Sequence, residues 1–150
     1  MYTLIALILD QENGKRNTTA GIVVDNDQHR LAMPTGGILR VIGSYLDEEE
    51  AFDAKERFCY YLAAHHDPLE YVPEPTGLDD CHCALKIWDS ADTAPREVRL
   101  KQGEHTPINP QDSFCLYGGF ATADDALTVL PLTAACQMRR RAFEQTPAEA

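Results

Sequence analysis

No aliphatic run in this chain is long enough to cross a bilayer: the longest, Leu4 to Leu9, is six residues, against the roughly 20 that a membrane helix needs. The same run fails as a secretory leader, because no Lys or Arg precedes it and Asp10, Gln11, Glu12 and Asn13 follow where small residues would mark a cleavage site. The expected compartment is therefore the cytoplasm, with no membrane contact. Cysteine is sparse and odd in number: Cys59, Cys81, Cys83, Cys115 and Cys136 are unevenly spaced, and none lies in the first third. That is a poor disulfide framework, so reduced and mostly buried thiols are expected.

Positive charge is scarce as well. Thirteen Lys and Arg stand against 24 Asp and Glu, a net charge of -11, and such a field repels phosphate backbones and anionic lipid. A broad nucleic-acid surface is disfavoured on that ground, and no nucleic-acid partner is expected. Local motifs are missing too. Thr35-Gly36-Gly37 and Tyr117-Gly118-Gly119-Phe120 lack both the Lys-Ser/Thr of a P-loop and the spacing of a dinucleotide site, so they read as turns. Ser44, Ser90 and Ser113 have no Gly-x-Ser-x-Gly setting, and Asp25 and Asp27 lack the later Gly and Glu of a calcium loop.

What is present is a composition that folds: 44% hydrophobic and 25% charged residues over 150 positions suit a single globular domain spanning 1–150. The acidity is uneven. Residues 1–46 hold four acids and four bases, residues 98–150 six and five, and residues 47–97 fourteen and four. The middle third should therefore emerge as one acidic face, able to attract a basic partner.

Thr3 to Leu9 is apolar on both faces and suits a central strand. Ala20 to Asp25 follows as a second strand and His29 to Met33 as a third, an antiparallel meander. Pro34-Thr35-Gly36-Gly37 stops that pattern, and Ile38 to Ile42 fits either a strand or a bridging turn. Asp47 with Glu50 three residues on forms a capping-box pattern, opening a helix from Glu48 to His66 that Asp67-Pro68 ends. Phe52, Phe58, Cys59, Leu62, Ala63 and His66 are its expected inward stripe, with Phe52, Cys59 and Leu62 in the core. Asp67 to Asp80, rich in Pro, should be an extended surface loop. Asp80 to Trp88 alternates as a half-buried strand, Cys81, Cys83, Leu85 and Ile87 to one side and His82, Ala84, Lys86 and Trp88 to the other. Val98 and Leu100 mark a partner strand, and Ser113 to Tyr117 a third, ended by Gly118-Gly119. Thr122 to Phe143, interrupted at Pro131, is a second helical pattern. The fold class is thus α+β: a largely antiparallel sheet with a long helix packed on one face and a C-terminal helix beside it.

Two constellations offer chemistry. Cys81 and Cys83, joined by Cys59 and His66 if the helix packs over their strand, form a four-ligand zinc set by residue type. Strand alternation turns His82 away from the two neighbouring cysteines, which favours buried thiols and no metal. His65, His66 and Asp67 sit at the negative end of the helix, where an imidazole can serve as acid or base. A hydrolytic site would combine them with Cys81 and His82.

Pro34-Thr35-Gly36-Gly37-Ile38, followed by Gly43 and the acidic helix through Glu48, Glu49, Glu50 and Arg57, resembles a distorted Nudix hydrolase box preceded by strands. The likeness covers residues 34–57 only. That family carries its divalent metal on an Arg-Glu-x-x-Glu-Glu run, and here Arg57 is followed by Phe58, Cys59, Tyr60 and Tyr61. The resemblance implies at most a degenerate, metal-dependent hydrolase.

The function that the residues favour is a small acidic cytosolic binding or inhibitory protein that docks a basic protein surface, without a cofactor. The expected contact set is Glu48, Glu49, Asp53, Glu56 and Tyr60 on the helix, with Glu70, Tyr71 and Glu74 from the loop. Carboxylates interleaved with Tyr provide both electrostatic steering and contact area. The rival is a small-ligand or metal-dependent hydrolase around His65, His66, Asp67, Cys81 and His82.

Overall fold

A strand that is apolar on both sides needs a hydrogen-bonded neighbour along each edge and a cover over each face, and the Leu4 to Leu9 run has all four. The computed structural model describes residues 2–10, 16–24, 31–33, 35–65, 67–75, 82–89 and 94–120. Their elements are β1 (Tyr2–Asp10), β2 (Arg16–Val24), β3 (Leu31–Met33), β4 (Gly37–Tyr45), α1 (Glu48–His65), β5 (His82–Trp88), β6 (Arg96–Lys101), β7 (His105–Ile108) and β8 (Asp112–Phe120). The protein is α+β and mostly sheet. Two four-stranded antiparallel sheets have the orders β2-β1-β4-β7, hereafter sheet A, and β3-β8-β5-β6, sheet B. The single sheet expected from the sequence is thus replaced by two, packed on each other.

Between the sheets lies the main core: Ile5, Leu39 and Val41 from sheet A against Cys83, Leu85, Ile87, Phe114 and Leu116 from sheet B. The opposite face of sheet A carries Leu4, Ala6, Ile42 and Tyr45, which pack on Ala51, Ala54 and Phe58 of α1. The layers are therefore α1, sheet A and sheet B in that order. The Ile38 to Ile42 segment is β4, paired with β1 along most of its length. Gly37 starts it at φ 148°, where a Cβ would collide with the Ile8 carbonyl across the ladder. This is a position for which glycine is suited.

The register of β1 with β4 shifts between Leu4 and Ile5, where Leu4 pairs with Gly43 and Ile5 with Val41. Ile42 is the extra residue of a β-bulge, and a bulge reverses the alternation beyond it. Val41 accordingly faces sheet B, Ile42 faces α1, and Ser44 faces sheet B again. There the Ser44 and Thr3 hydroxyls share a 2.9 Å hydrogen bond, and Ser44 Oγ lies 3.6 Å from Cys83 Sγ. Gly118 of β8 sits opposite, and a Cβ on it would collide with both hydroxyls. The Gly118-Gly119 pair, expected to end β8, is instead inside a strand that runs to Phe120. The lack of a side chain on Gly118 is what allows the sheets to approach at this polar contact.

Three further expectations change. The segment ending at Met33 does not complete a meander with β1 and β2: β3 pairs with β8 in sheet B. β5 is buried on both faces and not half-buried, with Ala84 and Trp88 joining Cys115 and Tyr117 in a cluster on the side away from sheet A. The helix stripe is rotated from the expected one. Its buried residues are Ala51, Ala54 and Phe58, with Leu62 partly buried, while Phe52 is 50% exposed and Cys59 is exposed. At 3.6 residues per turn Phe52 and Phe58 lie about 120° apart, so they cannot share one narrow seam. The expected C-terminal helix lies outside the described residues.

The rotated stripe is testable by denaturation. Phe58→Ala should cost about 3 to 5 kcal/mol in urea unfolding, and Phe52→Ala less than about 1 kcal/mol. Equal losses would contradict the placement of α1.

Candidate docking face

The start of α1 is set by Asp47, whose Oδ1 accepts the Glu49 N–H at 3.1 Å while its carbonyl accepts the Ala51 N–H at 3.2 Å. This caps the helix, and Glu48, Glu49 and Glu50 in the first turn complement its positive end. With Ala51, Ala54 and Phe58 facing sheet A, the opposite side of α1 presents Glu49, Asp53 and Glu56, all exposed. Large apolar groups stand among them: Tyr60 is 82% exposed, Phe52 50%, and Leu46 just before the helix 76%. Among the described residues the carboxylates of α1 form no ion pair, although Lys55 and Arg57 lie on the same helix. Arg139, Arg140 and Arg141 lie outside the described residues.

The 67–75 loop is held to this helix by ring contacts, and to β4 and the turn after β6 by two side-chain donors, Arg40 and Gln102. Tyr71 lies 5.0 Å, centroid to centroid, from both Phe58 and Tyr61, tilted by 54° and 55°. Expected as a contact residue, Tyr71 is half-buried here and anchors the loop. Glu70 and Glu74 remain exposed on either side of it. Arg40 of β4 donates from Nε to the Gly103 carbonyl at 2.9 Å and from Nη1 to the Pro68 carbonyl at 2.8 Å. Burial lowers its pKa, opposed by the nearby Asp67, Tyr61 and Tyr71. Gln102 spans a second gap, its Nε2 donating to the Ile42 carbonyl at 3.0 Å and to the Glu74 carbonyl at 2.8 Å. Ile42 is the bulged residue, whose backbone a ladder leaves unpaired, so the side chain that satisfies the bulge also fastens the loop.

The residues of the hydrolytic and metal readings take other places. His65 is exposed and stacks on Tyr61 at 4.5 Å. Asp67 Oδ1 accepts the Leu69 N–H at 3.0 Å, which closes the turn after the helix. Cys59 is exposed on α1 and Cys83 is buried between the sheets, so sheet A separates them. The four-ligand zinc set therefore does not assemble from Cys59 and Cys83. His66 and Cys81 lie outside the described residues. No group of three or more His, Cys, Asp or Glu among the described residues is placed to hold a metal ion. In the Nudix-like stretch, Glu48, Glu49 and Glu50 point to solvent and Phe58 enters the core. No helix among the described residues is long and apolar enough to cross a membrane.

Sequence reasoning passed over Arg40 and Gln102. A lone charge inside the apolar stretch Ile38 to Ile42 was the available signal for Arg40, since a buried guanidinium requires carbonyl partners. Gln102 carried none, because the need for it arises from a bulge that only the pairing register defines. Arg40→Met retains an aliphatic stem and leaves two carbonyls without their donor, so stability should fall by about 1 to 3 kcal/mol. Amide exchange across 67–75 should rise with it; unchanged exchange would contradict the clamp. Comparison of the chain with protein-family models, with curated proteins and with solved structures finds no match, so a function has to be read from this geometry.

Proposed function

We propose that the outward face of α1, flanked by the 67–75 loop, is the docking surface of a binding or inhibitory protein, and that its partner is a protein with a basic surface. One observation carries this reading. Phe52 and Tyr60 are exposed on the same side of α1 as Glu49, Asp53 and Glu56, which form no ion pair among the described residues, and Leu46 is exposed just before the helix. Apolar groups among like charges are the composition of a contact surface, with aromatic anchors for area and carboxylates for steering. A face built for solubility alone requires only the carboxylates. The exposed Glu70 and Glu74 extend the acidic set along the loop. A cytoplasmic setting forms part of this reading.

The experiment uses a panel of synthetic amphipathic peptides with Lys and Arg on one face and an apolar stripe on the other, titrated onto the full chain at two salt concentrations. Association with the best binder should slow about tenfold between low and physiological salt. Glu49→Gln/Asp53→Gln/Glu56→Gln should slow association and flatten that salt dependence. Phe52→Ala/Tyr60→Ala should instead speed dissociation, by about tenfold or more. Binding that neither variant alters, or no binding across the panel, would overturn the proposal.

A further inference from the structure

In a chain of net charge -11, Arg99 and Lys101 gather beside His82 in sheet B, on the side of that sheet turned away from α1. The ladder of β5 with β6 sets His82 opposite Lys101, Ala84 opposite Arg99 and Lys86 opposite Glu97. Directly paired residues share a face. Since Cys83, Leu85 and Ile87 point into the core between the sheets, His82, Arg99 and Lys101 stand on the face of sheet B turned away from sheet A. They line a cleft of about 460 Å³ together with Glu97, Val98 and Glu104, within the size range of small-molecule sites.

Both carboxylates of the cleft already have partners. Glu97 Oε1 lies 3.8 Å from Nζ of the buried Lys86, and Glu104 Oε1 accepts the backbone N–H of Lys101 at 2.7 Å, within its own turn. Among the described residues neither Arg99 nor Lys101 has a carboxylate partner. His82 is only 8% exposed, and an imidazole carries at least one N–H donor in either charge state. Charged residues along an edge strand such as β6 block pairing with another chain. That accounts for Arg99 and Lys101 being charged, but it requires neither a concave surface nor an imidazole sunk into its floor.

We propose that His82, Arg99 and Lys101 form a binding site for a small molecule bearing a terminal oxyanion, phosphate or carboxylate. The guanidinium offers a planar fork to two oxygens, the ammonium a point charge, and the imidazole N–H a fixed donor beneath them. The site is independent of the docking face on α1, from which both sheets separate it.

The test is an NMR titration of the full chain with inorganic phosphate and, separately, with citrate, at ionic strength held constant with chloride. The His82 ring and Arg99 Nε–H resonances should shift and saturate with at least one of them. A response to phosphate alone identifies a phosphate-bearing ligand, and a response to citrate alone a carboxylate. The exposed pair Arg99→Gln/Lys101→Gln should weaken that response about tenfold or more while the remaining amide spectrum stays unchanged. Glu49→Gln/Asp53→Gln/Glu56→Gln should leave it intact. Absence of saturation with either anion, equal shifts with chloride alone, or an undiminished response in the double variant would overturn the proposal.

Discussion

The central strands of sheet A, β1 and β4, are buried on both of their faces, and much of the rest of the structure follows from that. β1 is apolar on both sides and so requires two covers, which α1 and sheet B supply. Its neighbour β4 must meet the same two environments with a less regular sequence. The bulge at Ile42 resolves this by placing Ile42 and Tyr45 toward α1 and Val41 and Ser44 toward sheet B. A bulge leaves backbone groups to be satisfied, and Gln102 takes up the Ile42 carbonyl from the turn between β6 and β7. Gly103 of the same turn accepts from Arg40 and donates its own N–H to the Val41 carbonyl at 2.7 Å. The connection between the two sheets and the loop after α1 are thus tied to one short stretch of β4.

The surface chemistry is a consequence of how α1 meets that sheet. Its inward residues are two alanines and one phenylalanine, Ala51, Ala54 and Phe58. Choosing this seam turns Phe52 and Tyr60 outward, beside carboxylates that would be outward in any case. A burial of Phe52 would add apolar area to the core, at about 25 cal/mol per Å², yet the chain leaves half of this side chain in water. Exposed aromatic rings set in an acidic surface are the feature that a purely stabilising helix does not need. Sheet B presents the contrasting surface, with Arg99 and Lys101 around His82. The described part of the molecule therefore has an acidic, aromatic face on α1 and, separated from it by both sheets, a cleft where Arg99 and Lys101 flank His82.

Local patterns made much of this legible before any coordinates. The two-faced run in β1, the Asp47 cap and the strand character of β5 and β6 each depend on near neighbours, and each is where it was expected. Features that depend on register were not legible. Two sheets instead of one, β3 pairing with β8, and the glycine contact at Gly118 are all set by strands distant in sequence. The seam of α1 differs from the expected stripe because Phe52 and Cys59 lie well off the line of Phe58, whereas positions 51, 54, 58 and 62 follow the helical spacing closely. Within the candidate face, Glu49, Asp53, Glu56 and Tyr60 are exposed as the sequence suggested, whereas Tyr71 is half-buried in the anchoring of its own loop.

The orientation of α1 is the central claim, since the exposed face exists only if the helix is turned as described. Alkylation of the native protein with iodoacetamide, read peptide by peptide by mass spectrometry, reports on it directly. Cys59 lies on the exposed side of α1, while Cys83 and Cys115 are buried in sheet B. The account predicts rapid labelling of Cys59 and protection of the other two until the protein unfolds. Protection of Cys59 to the same degree as Cys83 would contradict it, because the seam would then run through Cys59 and the proposed docking face would be part of the core.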